Sequence, residues 1–327
     1  YNATTGEYDI KGQEFIYGST EIDVENLKYR PHLVGGSLAV SSDGKRLVIG
    51  VQEQRDYIQN PLLQHNLLYS LQVWTFDGNE YVWDGLKESD TVFRLGSGGK
   101  WYGADSVSIS GNGTVVAAGS ITYNGSKGCI GIWEESNDGN FTTKGPLLEP
   151  WKATPGIDND GTTYWGVSIA LSMDGSMVAA LGLPKDGKQS LQDGSLRFTP
   201  KYTLGVWKYN APQQVWDIIF RTEDEPDACT GSTTHQRHVT MSSDGQRLAV
   251  QVQNCGGLDQ WDRSGPESYV KRDAVSGNDQ YLRYTSMSGD GTKIAIAHYD
   301  NRVEGYHASI MLLCNSEDEL SCYRSEE

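Results

Sequence analysis

Two groups of residues in this sequence have side chains that could bind a metal ion. His235 and His238 lie near Cys229 and Cys255, and these residue types together are typical of a zinc site. In a strand, residues three apart point to opposite faces, so the two histidines would not share one metal ion. The cysteines flank a predicted hairpin, and we expect them to form a disulfide at one end of it. We therefore predict no zinc at these residues.

The second group is the segment from Asp158 to Gly161, which resembles half of a calcium-binding loop. The first ligand position would be Gly156, which has no side chain to offer. No downstream glutamate has the spacing of the bidentate ligand. Calcium remains an alternative at this loop, and we otherwise predict no cofactor.

A repeated hairpin must position all of these residues. SVSISGNGTVVAAGS, from Ser106 to Ser120, alternates small and apolar residues up to a Gly-Asn-Gly turn and then returns. Similar sequence motifs occur at four other places in the chain. The five predicted hairpins span residues 37–50, 106–119, 168–182, 238–250 and 284–297.

Each copy carries the same turn. A serine stands three positions before the turn glycine, at Ser41, Ser110, Ser172, Ser242 and Ser288. The residue just before the glycine is Asp43, Asn112, Asp174, Asp244 or Asp290. An Asx-Gly pair is typical of a two-residue hairpin turn, and the serine hydroxyl can bond its backbone. We interpret the acids as architecture, because one acid at each hairpin tip would not converge on one substrate.

Two further strands follow each hairpin. A third strand places Trp74, Trp133, Trp207, Trp261 and Leu313 at one register. A fourth follows a short polar turn, as in YVWDGL from Tyr81. Four antiparallel strands that recur along a chain indicate radially repeated sheets. The sequence therefore predicts a single all-β domain over residues 1–327, a β-propeller with five blades of four antiparallel strands.

The closure of the ring has alternatives. Residues 1–34 lack the hairpin, and Glu14 to Tyr17 reads as a strand without inner partners, so it could complete the last blade and close the ring. Ser321 to Tyr323 could instead supply the outer strand of that blade. In the second case the N-terminal strand has no place, or a sixth blade is missing from this sequence.

Variable loops on one face of the propeller are the predicted binding surface, because function is usually carried on loops held by a rigid scaffold. Aromatic residues beside polar ones suit a protein or sugar surface. The predicted surface comprises Tyr57, Trp101, Tyr102, Trp151, Asp158, Asp160, Tyr164, Trp165, Tyr299 and Arg302. The alternative for Trp165 and Tyr102 is that they cap the gaps between blades.

The central channel offers little for acid/base catalysis by carboxylates. Propeller enzymes that cleave sugars bring two or three carboxylates together there. The first strands begin at the channel with Ser37, Ser106, Ser168, His238 and Tyr284. Asp105 is the only acid beside them. No nucleophile motif or phosphate-binding loop appears, so the sequence favours a protein that is not an enzyme.

Charge and processing signals restrict the partners and the compartment. The net charge of −16 opposes binding to nucleic acid or to anionic membranes, and no long apolar run predicts insertion into a bilayer. Four glycosylation sequons begin at Asn2, Asn112, Asn124 and Asn140. We predict a secreted or cell-surface protein with disulfides Cys229–Cys255 and Cys314–Cys322; five reduced cysteines in a cytosolic protein are the alternative. Cys129, in a third strand, is expected to be buried.

The repeats YWGVSIALSMDGSMVAALG and YGADSVSISGNGTVVAAG resemble the FG-GAP-like propeller repeats of integrin-type and algal cell-surface proteins. The Asp-x-Asp-x-Asp-Gly calcium element of that family is absent from all five copies. The resemblance implies extracellular adhesion or assembly. The predicted function is a non-catalytic module that binds a protein or a glycan in an extracellular assembly. The alternative is a lectin or a propeller enzyme that acts on glycosides.

Overall fold

The chain is built from antiparallel sheets. The computed structural model describes residues 34–51, 71–79, 81–83, 104, 106–120, 128–149, 162–184, 188–190, 196–198, 201–222, 225–226, 237–252, 257–272, 275–276, 281–300, 307–314 and 322–324. Every regular element among them is a strand, and five sheets each hold a meander of four strands.

The first two sheets follow the predicted hairpins closely. The first contains β1 (Val34–Val40), β2 (Arg46–Val51), β3 (Leu71–Phe76) and β4 (Tyr81–Trp83). The second contains β5 (Ser106–Ile109), β6 (Val115–Ser120), β7 (Cys129–Glu135) and β8 (Phe141–Thr143). In both, the strands pair in chain order.

The third sheet carries an insertion. It is formed by β9 (Thr162–Leu171) and β10 (Met177–Pro184), then by β13 (Lys201–Asn210) and β14 (Val215–Arg221). A separate hairpin of β11 (Lys188–Ser190) and β12 (Leu196–Phe198) lies between β10 and β13 in the chain. The short β15 (Glu225–Pro226) also pairs with β13.

The last two sheets complete the series. The fourth contains β16 (Arg237–Met241), β17 (Arg247–Val252), β18 (Gly257–Gly265) and β19 (Ser268–Lys271), and β20 (Val275–Ser276) pairs with β18. The fifth contains β21 (Tyr281–Met287), β22 (Lys293–Asp300), β23 (His307–Cys314) and β24 (Cys322–Arg324). The C-terminal β24 therefore takes the fourth place in the fifth sheet. Residues 14 to 17, the other predicted closing strand, lie outside the described residues.

The sheets are arranged as blades around an axis. The first strands contact one another in the order β1, β5, β9, β16, β21, so they lie side by side along a central channel. Apolar side chains fill the space between neighbouring sheets, because successive residues of a strand point alternately to the two flanking blades. The third-strand tryptophans Trp133, Trp207 and Trp261 are buried there. The propeller prediction is confirmed.

The turn between the first two strands is longer than predicted. In the third sheet the N–H of Ser172 bonds the carbonyl of Met177, and the N–H of Gly175 bonds the carbonyl of Ser172. The loop therefore has four residues, and Gly175 takes a left-handed φ of 66°. Ser172 Oγ donates to Asp174 and accepts from the Met177 N–H, both within 2.9 Å. The predicted role of the serine and the acid as architecture agrees with these bonds.

Candidate functional site

The hairpin tips surround a cavity of about 690 Å³ at one end of the channel, here called the hairpin end. Its lining comes from the turns of the first four sheets: Ser42, Asp43, Gly111, Asn112, Met173, Asp174, Ser243 and Asp244. The argument that these acids would not converge is therefore wrong. The ring structure brings the tips of successive blades together at the axis, although the tips are far apart in the chain.

The acids of the hairpin end are already engaged by their own turns. Hydrogen bonds from the Lys45 N–H and from Ser41 Oγ lower the pKa of Asp43. In the fifth sheet, bonds from Ser288 Oγ and from Thr292 lower the pKa of Asp290 to about 2. Carboxylates held ionised in this way are poor proton donors and acceptors near neutral pH. Among the described residues, no group of three or more potential ligands could hold a metal ion.

The opposite end of the channel, where the first strands begin, is here called the strand-start end. In the first three sheets a serine at this point bridges two blades. Ser37 Oγ accepts from the Val107 N–H at 2.8 Å, and Ser168 Oγ accepts from the Val239 N–H at 3.0 Å. Ser106 Oγ donates to a backbone carbonyl of the third sheet at 2.6 Å. These hydroxyls are used in joining the blades.

The fourth sheet replaces this serine with His238, which is half-buried and faces the fifth sheet. Its Nδ1 lies 3.2 Å from Thr285 Oγ1, and Thr285 is buried in β21. Burial lowers the pKa of His238 below its usual 6.5, and a hydrogen bond with Thr285 opposes the shift only in part. The imidazole is therefore neutral at pH 7. A neutral imidazole that Thr285 orients is able to act as a general base.

Gln251 lies directly opposite His238 in the register of β16 and β17. Its side chain is fully buried, and neither amide atom has a hydrogen-bond partner among the residues that the structure describes. Paired residues of an antiparallel sheet share one face, with Cβ atoms about 4.5–5.5 Å apart. A buried amide without partners costs about 1–3 kcal/mol, so it calls for a polar group that the described residues do not supply.

A second polar group lies in the core between the third and fourth sheets, and sequence reasoning missed it. The Tyr202 hydroxyl donates to Asp259 at 2.5 Å, and Lys271 Nζ lies 2.9 Å from the same carboxylate. Tyr202 lies in β13 and Asp259 in β18, so this hydrogen bond links the third and fourth blades. The sequence carries a partial signal, because the residue two before the third-strand tryptophan is glycine in the second and third copies, Gly131 and Gly205, and Asp259 in the fourth.

Gln251 carries a comparable signal. The equivalent positions in the first two copies are Gly50 and Gly119, where an added Cβ would lie 2.9 Å from Ala104 O and 2.3 Å from Gly166 O. The blades are too close for a side chain there. A long amide at that position in the fourth copy marks a local departure from the repeat.

The predicted binding surface is only partly placed by the structure. Trp165 is 3 % exposed, and its ring meets Trp207 edge-on at 5.5 Å between the second and third sheets. It caps the gap between blades, so its assignment to the binding surface was wrong. Tyr164 and Tyr299 lie in β9 and β22 rather than in loops. The other predicted members, Tyr57, Trp101, Tyr102, Trp151, Asp158, Asp160 and Arg302, lie outside the described residues.

The predicted disulfides have different outcomes. Cys229 and Cys255 lie outside the described residues, so their bridge stays a prediction. The register pairs Cys322 with Leu313, which places positions 314 and 322 on opposite faces of the fifth sheet. This register opposes the predicted Cys314–Cys322 bridge. Cys129 is fully buried in β7, as its place in a third strand predicts.

The structure describes two of the four predicted glycosylation sites, Asn112 and Asn140. Asn2 and Asn124 lie outside the described residues. Asn112 is exposed, but its Oδ1 accepts from Ser110 Oγ and from Thr114, so the side chain is committed to the turn. Asn140 is half-buried in a polar turn and donates through Nδ2 to Asp138 at 2.9 Å. Glycosylation stays a prediction at all four sites.

No protein family and no curated protein matches this sequence. The FG-GAP-like resemblance therefore stays a prediction. Among the described residues, no helix is long and apolar enough to cross a membrane.

Solved structures do match. The periplasmic gluconolactonase of Pseudomonas aeruginosa has a TM-score of 0.51 and 12% identity, over 89% of this chain and 70% of that one. The hydrazine synthase of Kuenenia stuttgartiensis has a TM-score of 0.50 and 12% identity, over 92% of this chain and 68% of that one. A putative 6-phosphogluconolactonase of Bacteroides uniformis has a TM-score of 0.49 and 10% identity, over 89% and 70%. At these identities the likeness establishes the fold.

The comparison corrects the functional prediction. A propeller without a carboxylate pair at its channel led us to expect a non-catalytic interaction module. The solved propellers similar to this chain include a gluconolactonase, so that inference from the fold is wrong.

Proposed function

We propose that this chain is a hydrolase that opens a small cyclic ester, such as a sugar lactone, at the strand-start end of its channel. The observation that carries the proposal is the pair of His238 and Gln251. A neutral imidazole and an unsatisfied amide face the same gap between the fourth and fifth sheets. The shared fold with a gluconolactonase supports this choice of substrate class.

Lactone hydrolysis needs what this pair can supply. His238 would accept a proton from a water molecule while the water oxygen attacks the ester carbonyl carbon. The resulting imidazolium would then give the proton to the ring oxygen as the C–O bond of the lactone breaks, so that a hydroxy acid leaves. Gln251 has two N–H groups that would bind a carbonyl or hydroxyl oxygen of the substrate.

The direct test is hydrolysis of glucono-1,5-lactone by the purified chain, followed by acid release at constant pH with the spontaneous rate subtracted. We expect His238→Gln to lower kcat/KM by about 10²–10⁴-fold, the usual contribution of a general base. Ser106→Ala is the matched control, because it removes an inter-blade bond at the same ring position without touching a titratable group. No turnover by the native chain, or equal loss in both variants, would overturn the proposal.

We further propose that the protein works outside the cytoplasm. The four sequons and the pair Cys229 and Cys255 support this, and the similar gluconolactonase is periplasmic. Peptide mapping of native material without reduction tests it. We expect a peptide that links Cys229 to Cys255, and finding either thiol free would remove the main support.

A further inference from the structure

Each sheet has a leading face, which is the face turned toward the preceding sheet in the chain. In the first sheet, the inner-strand residues on this face are more exposed than in the other sheets. Two positions of the first strand, six and four residues before the turn glycine, are compared between the sheets. At the position six residues before the glycine, the side chain packs against the preceding blade and is at most 7 % exposed in four copies: Val107, Ile169, Val239 and Thr285. In the first sheet this residue is Leu38, which is 64 % exposed. At the second position, Ile109, Leu171 and Met241 are buried, whereas Val40 is 48 % exposed. Two apolar side chains of the first strand, in blade-packing register, thus have no blade of the described residues against them, although Leu47 and Ile49 on the same face of the second strand are buried.

A series of backbone hydrogen bonds joins the turns at the hairpin end, and its first and last turns each lack one bond within the described residues. Each turn donates an N–H to the carbonyl of the next turn: Ser42 to Gly111, Gly111 to Met173, Met173 to Ser243, and Ser243 to Gly289, at 2.8 to 2.9 Å. The series stops there. Within the described part of the structure, the Gly289 N–H has no acceptor and the Ser42 carbonyl has no donor. In a closed ring of five blades, Gly289 would donate to Ser42.

The neighbours of the turn glycines also differ between the first sheet and the other sheets. The side chain two positions after each turn glycine lies over the turn glycine of the next blade. A Cβ added at Gly113 would lie 2.8 Å from Arg46, and one at Gly291 would lie 2.8 Å from Arg247. At Gly44 nothing lies within 4 Å. Within the described residues, no preceding blade covers the turn of the first sheet, although the Gly44 φ of 68° matches the other turns.

We propose that the space between the fifth and first sheets is a slot for further blades of this same repeat, supplied by polypeptide beyond the five repeats. Three features specify the occupant. Its turn must accept from the Gly289 N–H or donate to the Ser42 carbonyl, its second strand must cover Gly44, and its sheet must present an apolar face to Leu38 and Val40. These are the contacts that every internal blade of this chain already makes.

The lengths of the similar propellers agree with this occupant, since this chain covers 70% of the gluconolactonase and 68% of the hydrazine synthase. The first-sheet face of the slot also continues, through Leu38 and Val40, an interface that the chain repeats four times between its own blades. The proposal takes up the alternative in which a blade is missing, in place of a five-bladed ring closed by an N-terminal strand, and it does not depend on the proposed hydrolase activity.

The test extends the full chain with one or two extra copies of residues 237–276 after Glu327. We expect at least one extended protein to melt several degrees higher than the native chain. We also expect it to slow hydrogen exchange in residues 38–42 by about tenfold. The same extensions in a Leu38→Glu, Val40→Glu chain should give neither effect. A Val82→Glu, Val270→Glu chain is the matched control, because these exposed valines lie outside the slot, and it should respond like the native chain.

Two outcomes would overturn the proposal. The first is that neither extension changes the melting temperature or the exchange of residues 38–42. The second is that the native chain forms a dimer in sedimentation experiments that Leu38→Glu with Val40→Glu abolishes, because the slot would then belong to a second copy.

Discussion

His238 and Gln251 are directly paired across β16 and β17, and theirs is the one pair of its kind in the repeat where the structure describes it. The equivalent pairs are Ser106 with Gly119, Ser168 with Leu181, and Tyr284 with Ala297. Each of these combines one polar residue with a small or apolar partner. The fourth blade instead places a base and an amide side by side.

Gln251→Leu should separate stability from function. The substitution removes a buried amide without partners and keeps a similar volume, so we expect the free energy of unfolding to rise by about 1 kcal/mol. Lactone turnover should fall, because the substrate loses a hydrogen-bonding group. Urea titration and the lactone assay measure the two effects.

Gln72→Leu is the control for this prediction. Gln72 is also buried, but its Oε1 lies 3.3 Å from the Trp74 Nε1 that donates to it, so its loss should destabilise the fold. If Gln251→Leu were as destabilising as Gln72→Leu, the Gln251 amide would have partners in solution and its proposed role would fail.

The first and second blades are joined by an ion pair whose geometry matters. Arg46 contacts both oxygens of Glu135 at 2.6 and 2.7 Å and donates to the Gly113 carbonyl at 3.0 Å. Both side chains are less than 20 % exposed. Lysine cannot make the two-pronged contact, so Arg46→Lys should lower the free energy of unfolding by about 1–2 kcal/mol.

The neighbouring Lys45 provides the comparison for Arg46. It lies 3.9 Å from Asp43 and is largely exposed, so Lys45→Ala should change stability by less than about 0.5 kcal/mol. Equal effects of the two substitutions in urea titrations would show that blade joining does not depend on the Arg46 geometry.

The turn serines should matter in proportion to their burial. Ser172→Ala leaves the Met177 N–H without its acceptor at 2.9 Å in a buried site, at a cost of about 1–3 kcal/mol. Ser288→Ala removes the same bond to Lys293 at a more exposed turn, where water can replace the hydroxyl. Thermal melts should show a larger decrease for Ser172→Ala. A larger decrease for Ser288→Ala would indicate that burial does not determine how much the turn serine contributes to stability.

The repeat allowed the five hairpins and the four strands of each blade to be predicted, because turn chemistry and alternation are local properties. The loop length at Gly175 was less accurate, since Asx-Gly pairs occur in four-residue as well as two-residue turns. The convergence of Asp43 and Asp174 on one cavity depends on ring geometry, which no single repeat contains.

Other features depend on which blades meet. Leu38 and Val107 occupy the same place in the pattern, yet one is exposed and the other buried, because among the described residues only Val107 has a preceding blade against it. Tyr202 and Asp259 meet from positions 57 residues apart. Such contacts become visible only when neighbouring sheets are placed against each other.

The most direct measurement of the central claim is the pH dependence of kcat/KM for glucono-1,5-lactone in the native chain and in His238→Gln. Burial lowers the pKa of His238 below 6.5, and only the neutral imidazole accepts a proton. We therefore predict that kcat/KM falls as the solution becomes acidic and His238 gains a proton, with a midpoint under pH 6.5 that His238→Gln abolishes. A midpoint above 6.5, or the same profile in both proteins, would contradict the assignment of His238 as the base.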